Sequence, residues 1–586
     1  MSKLTRRDFI KASAASFGTL VVSSTLTGCG DPSSNPRVAI DTDTSPTGSF
    51  NHGVASGDPT QSAVILWTRV TPDNANLTQA KVIWEVAMDM EFTNIVASGE
   101  SVATPVSDYT VKIDIQGLDA GSTYYYRFSS LGAVSPVGRT KTLPAVDVSK
   151  VSLAIVSCSN FPAGHFNVYT ELGKRDDLDA IVHLGDYIYE YATGEYGTEN
   201  SEAIGRALPS DNNGEILNLA DYRKRYALYR TDSGLQSAHQ QAAFIAVWDD
   251  HEIANDGWRE GAQNHSDDEG AFEERKMAAL QAYFEWMPIR PATVTDNETI
   301  FRQFNFGDLV SLYMLDTRFY GRDKGLDYAD FIDPQTGALD AQAFQAAVGD
   351  PARTMLGTEQ LQWLQGSMQM SSATWQVLGQ QVLMGRMLLP AEILPYLANP
   401  TPAVFSLLQE LASIKQRVLM NDPTITDAER ARVEVLAPYN LDAWDGYFVE
   451  REVLLGTAAA LGKNLVVLAG DTHNSWANNL VDMNGNNVGV EFATASVTSP
   501  GLGEALTLDN FTSGAFEDIV RLLIDNLKYF NVVERGFAVV TFTPDDAKCE
   551  WHYVNNISSP EYGMVTNRAH ALRMKTGEPQ LTWVNP

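Results

Sequence analysis

Ala180-Ile181-Val182-His183-Leu184-Gly185-Asp186-Tyr187-Ile188-Tyr189 is a short apolar run that ends in a glycine turn bearing a carboxylate and two phenols. Runs of about five to seven Val, Ile, Leu and Ala residues that stop at Gly, Asp or Ser predict buried strands. The pattern recurs three times. Val151–Val156 leads into Ser157-Cys158-Ser159-Asn160, Ala242–Trp248 into Asp249-Asp250-His251-Glu252, and Leu465–Ala469 into Gly470-Asp471-Thr472-His473. In open α/β sheets, ligands bind beyond the carboxyl ends of the strands. Four strands that deliver Cys, Asp, Tyr and His side chains to one sheet edge predict a metal site. One such cluster would mean little, because Asp after a strand is often a helix cap or turn former. Four together argue against coincidence.

Each side chain has a chemical task. Asp186 and Tyr189 lie three apart just after a strand, so both can face one ion across a single turn. A carboxylate with a phenolate suits a hard trivalent cation such as Fe³⁺, and tyrosine is otherwise a rare ligand. Cys158 adds a thiolate, which a bound cation deprotonates, and His473 adds an imidazole. The competing readings are a core tyrosine with a satisfied hydroxyl and a buried structural thiol. Asp471 stands two residues before His473, so an extended segment can aim both at the cleft. Asp250 can join Asp471 and a bridging Asp186 at an all-oxygen position, which favours Ca²⁺ or Mg²⁺ over zinc. His251 follows Asp250 directly and is free to act as an acid or base.

The amino terminus carries a second signal. Thr5-Arg6-Arg7-Asp8-Phe9-Ile10-Lys11 precedes a modestly apolar stretch from Ala12 to Thr25. A twin arginine before a short apolar region predicts the bacterial twin-arginine export signal. The stretch is too short and too rich in Ser, Thr and Ala for a membrane span, which needs about 20 apolar residues. It ends in Leu26-Thr27-Gly28-Cys29, similar to a lipobox, so Cys29 is the expected lipidated first residue of the mature chain. The competing reading is an ordinary cleaved signal with Cys29 incidental. Residues 29–49 then form a flexible tether to the envelope, periplasmic or at the cell surface.

With 586 residues, 44% of them hydrophobic, the chain has material for a large core and more than one domain. The net charge is −31, and loss of the leader's four basic and one acidic residues leaves about −34. That balance excludes an evident nucleic-acid-binding surface and attraction to anionic lipid headgroups. An acidic protein that handles anionic phosphate must offset repulsion locally, which multivalent cations would do. Only three cysteines occur, Cys29, Cys158 and Cys549, so no disulfide framework is expected. Cys549 lies in an alternating segment and is expected as a small buried residue, with a Cys158–Cys549 disulfide as the weaker competitor.

From about residue 50 to residue 144 the pattern is short strands and turns: Ala63–Arg69, Lys81–Met88, Val111–Ile115 and Thr123–Ser129. Gly117 to Phe128 resembles the approach to a late strand of immunoglobulin-like sandwiches, where a tyrosine locks a corner. The large domain covers 148–586. Leu219–Thr231 and Gly270–Trp286 have helical spacing, Leu309–Leu315 and Thr374–Val382 read as strands, and 385–437 is a proline-punctuated helical insertion placed as a lid.

These residues resemble the PhoD-like alkaline phosphatases of the metallophosphoesterase superfamily. The resemblance rests on His183 to Glu190, Trp248 to Glu252, Leu315 to Arg318, Trp375 to Gln381, Trp444 to Tyr447 and Gly470 to His473. It implies an α/β catalytic domain, a two-sheet sandwich flanked by helices, preceded by a small immunoglobulin- or fibronectin-like β-sandwich. It implies Fe³⁺ at Cys158, Asp186, Tyr189 and His473, and Ca²⁺ at Asp186, Asp250 and Asp471. A further Ca²⁺ is implied, for which Asp249, Asn255 and Asp256 are the nearby candidates. The superfamily's Gly-His-Thr-His becomes Gly470-Asp471-Thr472-His473, which exchanges a nitrogen ligand for oxygen and favours calcium. The implied chemistry is in-line attack of a metal-activated hydroxide on the phosphorus of a small-molecule or lipid phosphoester. His251 takes the place of the general acid, with a support for Asp250 as its competing role.

Rival readings are weaker. A cysteine-nucleophile phosphatase needs Arg six residues after its Cys, and that position is Gly164. No glycine-rich loop followed by Lys-Ser/Thr is present. A phosphodiesterase or phospholipase D-type hydrolase would use the same site. A non-catalytic calcium- or glycan-binding surface lipoprotein would leave Cys158, Tyr189 and His473 without a task. The export reading has its own test: Arg6-Arg7 replaced by Lys-Lys should leave full-length precursor in the cytoplasm, as read by cell fractionation.

Overall fold

The computed structural model describes residues 46–584 except 294–297, 334, 337, 397–401 and 509–511. The leader, Cys29 and most of the tether lie outside the described residues. Gly48–Ser49, at the tether's end, already pairs with Thr71–Pro72.

The four apolar runs are central strands. Val151–Val156, Ala180–His183 and Phe244–Ala246 are buried throughout and pair in parallel, Leu153 opposite Ala180 and Ile181 opposite Phe244. Strands covered on both faces need no polar alternation, which is why these segments read as continuous Val/Ile/Leu runs. Arg535–Phe542 joins antiparallel to Val151–Val156, and Asp546–Val554, His570–Lys575 and Glu578–Val584 extend the sheet as a meander. A second, seven-stranded sheet has Val310–Met314, Trp375–Gly379, Asn464–Ala469 and Asn487–Ala493 as its parallel centre.

The two sheets face each other across one core. Along Asn464–Ala469, Val466 and Leu468 join Ile155, Ile181 and Val539 in the layer between the sheets. Leu465, Val467 and Ala469 point the other way, into the helix-covered layer. The alternation is the two-residue period of a strand with both faces buried. The chain is therefore an α/β protein built on a two-sheet sandwich flanked by helices, as the resemblance implied.

The amino-terminal β region is fused to this frame. Phe244–Ala246 pairs in parallel with Val54–Gly57, which pairs with Ala63–Arg69 and then Thr110–Gln116, so the first sheet has ten strands. The Ala63–Arg69 strand serves two cores at once. Val64 and Leu66 pack on Val82, Tyr126 and Phe128 of the small sandwich, while Trp67 enters the large core. The Trp67 indole N–H donates to the Glu285 carbonyl at 2.7 Å, and the Arg230 guanidinium lies 4.3 Å from its ring centre. At the sandwich corner the Asp119 N–H donates to the Tyr124 hydroxyl at 2.8 Å. The exposed strand Ile95–Ala103 escaped the sequence reading because its polar residues and Gly99 dilute the apolar pattern.

Leu388–Pro390 pairs with Leu436–Pro438 and closes the base of the insertion, which carries helices Pro402–Leu419 and Asp427–Glu434. Cys158 and Cys549 are both free and buried, so the disulfide competitor falls.

Because one strand supports both cores, Trp67→Ala should cost about 3–5 kcal/mol. Calorimetry should show both regions melting in one transition at lower temperature, rather than the sandwich alone.

Candidate active site

All four polar clusters come together where the two sheets meet, at the carboxyl ends of their parallel strands. The loops interlock through main-chain bonds. The Cys158 N–H donates to the Gly185 carbonyl at 3.1 Å, and the Ser159 N–H to the Asp186 carbonyl at 2.8 Å. Ser157 bridges Ser496, and the Ser499 N–H donates to the Cys158 carbonyl at 3.3 Å. Gly185, at φ 103°, has to be glycine for a further reason: a β-carbon there would lie 2.4 Å from Asp249 Cβ. The Glu252 carboxylate draws the same two loops together by accepting N–H bonds from Asp186, Tyr187 and Asp249.

Four candidate ligands have left-handed backbones: Cys158 (φ 62°), Asp186 (56°), Asp471 (63°) and His473 (62°). Such conformations cost roughly 1–3 kcal/mol each outside glycine, and they concentrate at functional sites. Here the strained turns direct four side chains into one space.

The ligand-type atoms form three overlapping groups, the atoms of each within 4.8 Å of one another: Cys158, Asp186 and His473; Asp186, Asp250 and His251; Asp249, Asp250 and Asp471. Asp186 and Asp250 are each shared by two groups. Tyr189 joins the first, its hydroxyl donating to Asp186 Oδ2 at 2.8 Å and lying 3.2 Å from His473 Nε2. His473 Nδ1 lies 2.6 Å from the Pro500 carbonyl, so the proton belongs on Nδ1 and the Nε2 lone pair faces the group. Burial, then the Asp186 charge, pushes both the Cys158 thiol and the Tyr189 phenol well up.

The expected all-oxygen position is divided rather than closed. Asp250 groups with Asp186 on one side and Asp471 on the other, and no single group contains all three. Fully buried Arg318 spaces these like charges, with its guanidinium 2.5 Å from Asp249, 2.7 Å from Asp471 and from Asp442, and 3.8 Å from Asp250. Burial raises Asp249 and Asp471 well above the usual carboxylate range, with Arg318 opposing. For Asp250, burial is outweighed by Arg318 and His251, which hold it at about 2. The Asn255 side-chain nitrogen donates to Gln263 at 3.0 Å and its backbone N–H to Glu190. Asp256 contributes a backbone N–H to Asp250 Oδ2 at 2.5 Å.

The donor set fits hard cations. Asp249, Asp250, Asp442 and Asp471 converge on Arg318, Asp442 also meets Arg322, and Asp186 groups with Asp250, so carboxylates outnumber guanidiniums. Buried Asp186 Oδ1 and Asp249 Oδ2 have no hydrogen-bond partner among the described residues. An orphaned carboxylate oxygen in a dry site is costly without a cation.

His251 is built as a charged group. Its Nδ1 lies 2.7 Å from fully buried Glu190, which also accepts N–H bonds from the Asn255 backbone and the Asn264 side chain. Burial opposes charging of the imidazole, but Glu190, Asp250 and Asp186 together raise its pKa well above the ordinary value. Glu190 moves the opposite way, held down by His251 against burial. Nε2 is left facing Asp186 and Asp250. Tyr189 and Tyr191 flank the ring at 4.2 and 5.3 Å.

Sequence reasoning assigned no task to Glu190, Glu252, Arg318 or Asp442. Arg318 had a usable signal, since Leu309–Leu315 is another apolar run ending in a polar cluster, Asp316-Thr317-Arg318. Asp442 follows the insertion with no periodic cue, and only the fold brings it to Arg318.

An α/β sandwich with carboxylates, imidazoles, a thiol and a phenol on its strand ends defines a phosphoester hydrolase. The family model described as PhoD-like phosphatase matches residues 153–551, and that of its N-terminal domain matches 36–144. Alkaline phosphatase D of Bacillus subtilis (strain 168) is 33% identical over 525 residues, 87% of this chain and 78% of that protein. The solved "Structure of PhoD" superimposes with a TM-score of 0.73 at 31% identity, covering 93% of this chain and 94% of that one. The chain belongs to the PhoD-like phosphatase family. It is a hydrolase, which sets aside the non-catalytic lipoprotein reading.

The raised His251 pKa keeps the imidazole cationic above its ordinary 6.5, and the proton is lost as pH rises through the raised value. Glu190→Gln removes the main stabilising charge. The alkaline limb of kcat/KM for phenyl phosphate should therefore move to lower pH, as read from a pH–rate profile.

Proposed function

We propose that this phosphatase is an exported, metal-dependent enzyme acting on phosphate monoesters. The observation that carries the reading is the chain of three ligand groups linked through Asp186 and Asp250. Cys158, Asp186, Tyr189 and His473 would hold Fe³⁺; Asp186, Asp250 and Asp471, which fall in two adjoining groups that share Asp250, would hold Ca²⁺. Asp249 supports the second position from beneath, through its ion pair with Arg318. When bound, the cations would supply charge neutralisation for the phosphoryl oxygens and a nucleophile at neutral pH.

The chain's own residues do the rest. Arg318 and Arg322 hold Asp442 and Asp471 in place, so the oxygen-rich wall does not spread under its own repulsion. Glu190 fixes the His251 ring through Nδ1, so the proton on Nε2 is the one available to the leaving oxygen. Such proton donation accelerates ester cleavage by typically 10²–10⁴-fold. Tyr191 and Tyr196, both half-buried, stand beside His251 and His473 and narrow access by water. Phosphodiester cleavage, of the phospholipase D type, would use the same residues, since nothing in these roles requires a dianionic substrate.

Export by the twin-arginine route, with attachment through lipidated Cys29, is supported by Arg6-Arg7 and by Leu26 to Cys29. No helix among the described residues is long and apolar enough to cross a membrane.

Protein purified without chelators should contain iron and calcium, and calcium should restore activity after chelation more readily than zinc. Two zinc ions per chain, with neither iron nor calcium, would overturn the assignment. His251→Ala should keep its metals yet lose monoester turnover by about 10²-fold or more, least for p-nitrophenyl phosphate. His473→Ala and Cys158→Ser should lose iron together with activity. Elemental analysis beside kinetics on a leaving-group series separates the two classes. Metal loss with equal impairment across leaving groups would make His251 a ligand.

A further inference from the structure

The loop Ser496-Val497-Thr498-Ser499-Pro500 bears no carboxylate, imidazole or thiol, yet it meets Cys158, Tyr189 and His473. The Pro500 carbonyl fixes the His473 ring at Nδ1, and the Ser499 N–H meets the Cys158 carbonyl at 3.3 Å. The Ser499 hydroxyl reaches further. Its oxygen lies 2.6 Å from the Tyr189 hydroxyl oxygen and 2.9 Å from the Cys158 carbonyl. Ser499 has no exposure, so bulk water does not compete for either bond.

One hydroxyl proton cannot serve both acceptors, and the surroundings decide between them. The Cys158 carbonyl already accepts from the Thr498 and Ser499 N–H groups, at 3.4 and 3.3 Å. The Tyr189 hydroxyl gives its own proton to Asp186 Oδ2 at 2.8 Å, so its oxygen is free to accept. His473 Nε2, 3.2 Å from that oxygen, presents a lone pair and cannot donate. Ser499 can. A cation in the place of the phenol proton would make the oxygen a charged acceptor, to which hydrogen bonds are roughly twice as strong as to a neutral one. Ser499 is itself held in place, because its carbonyl accepts from the Ser496 hydroxyl at 2.7 Å and Ser496 bridges Ser157.

We propose that Ser499 is a positioning residue for the first ion site: its hydroxyl donates to the Tyr189 oxygen, orients the phenol and withdraws electron density from it. The inference rests on the reading of Cys158, Asp186, Tyr189 and His473 as an Fe³⁺ site. It adds the group that sets how strongly the tyrosine donates to the ion. Hydrogen bonds to ligand atoms are one of the means by which a protein sets a metal's reduction potential. A phenolate drained by Ser499 stabilises Fe³⁺ less against Fe²⁺, so the serine raises that potential.

The whole protein, purified with its iron, tests this by visible absorption. Fe³⁺ held by a phenolate gives a phenolate-to-iron charge-transfer band, whose energy falls as the oxygen becomes richer in electrons. Ser499→Ala should keep its iron, move the band to longer wavelength and lower the Fe³⁺/Fe²⁺ potential. Ser496→Ala disturbs the same loop without touching Tyr189 and should leave band and potential at their wild-type values. In the wild type itself, resonance Raman excited in the band should show the phenolate C–O stretch shifted in protein produced in D₂O. A band in Ser499→Ala that stays or moves to shorter wavelength, equal movement in Ser496→Ala, loss of iron from Ser499→Ala, or a stretch insensitive to D₂O overturns the role of Ser499. Iron-loaded wild type without any such band overturns Tyr189 as a ligand instead, and the underlying reading of the ion site falls with it.

Discussion

Concentrated negative charge in a dry place is the constraint on which the rest of this structure depends. Asp249 and Asp250 are buried and Asp442 and Asp471 half-buried around a guanidinium with no exposure at all, and buried Asp186 adjoins Asp250. Arg318 cannot balance them alone. Removing ions from water costs several kcal/mol each even after relaxation, and two of the carboxylate oxygens have no hydrogen-bond partner among the described residues. A fold that keeps such a cluster must hold it rigidly, so that repulsion is met by cations instead of by movement of the loops. That need accounts for the left-handed turns at Cys158, Asp186, Asp471 and His473. It accounts also for the carboxylate of Glu252, used only to bind two loops together.

Rigidity at the strand ends has to be supported from below. The sandwich supplies it by burying both faces of its parallel strands, and the amino-terminal region adds to it. Trp67 stands in the large core while its neighbours Val64 and Leu66 stand in the small one. Arg302 and Arg290 cross the same seam to Asp58 and Asp114. The region is thus part of the frame that carries the Phe244–Ala246 strand, and through it Asp249 to Glu252.

Two histidines close to the same carboxylates differ through the acceptor at Nδ1. His473 meets the neutral carbonyl of Pro500 and presents a lone pair from Nε2. His251 meets the charged Glu190 and is driven towards the cation, which presents a proton instead. The same imidazole is suited to hold an ion in one case and to move a proton in the other.

The strands of both sheet centres, the polar turns that end them, and Cys158, Asp186, Tyr189, Asp250, His251, Asp471 and His473 were legible in the sequence. Each lies next to an apolar run in the chain, and burial on both faces writes itself as such a run. Glu190 was visible but without a role, because an acidic residue after a strand looks the same whether it is solvated or paired. The strand at Ile95–Ala103 was hidden by exposure, which removes the apolar half of the alternation. Tertiary structure alone decided that Asp442 belongs to the cluster, and it alone paired Arg318 with the carboxylates. It alone decided that the small sandwich continues the catalytic sheet. Those outcomes depend on contacts between residues tens to hundreds of positions apart, and local periodicity carries no record of them.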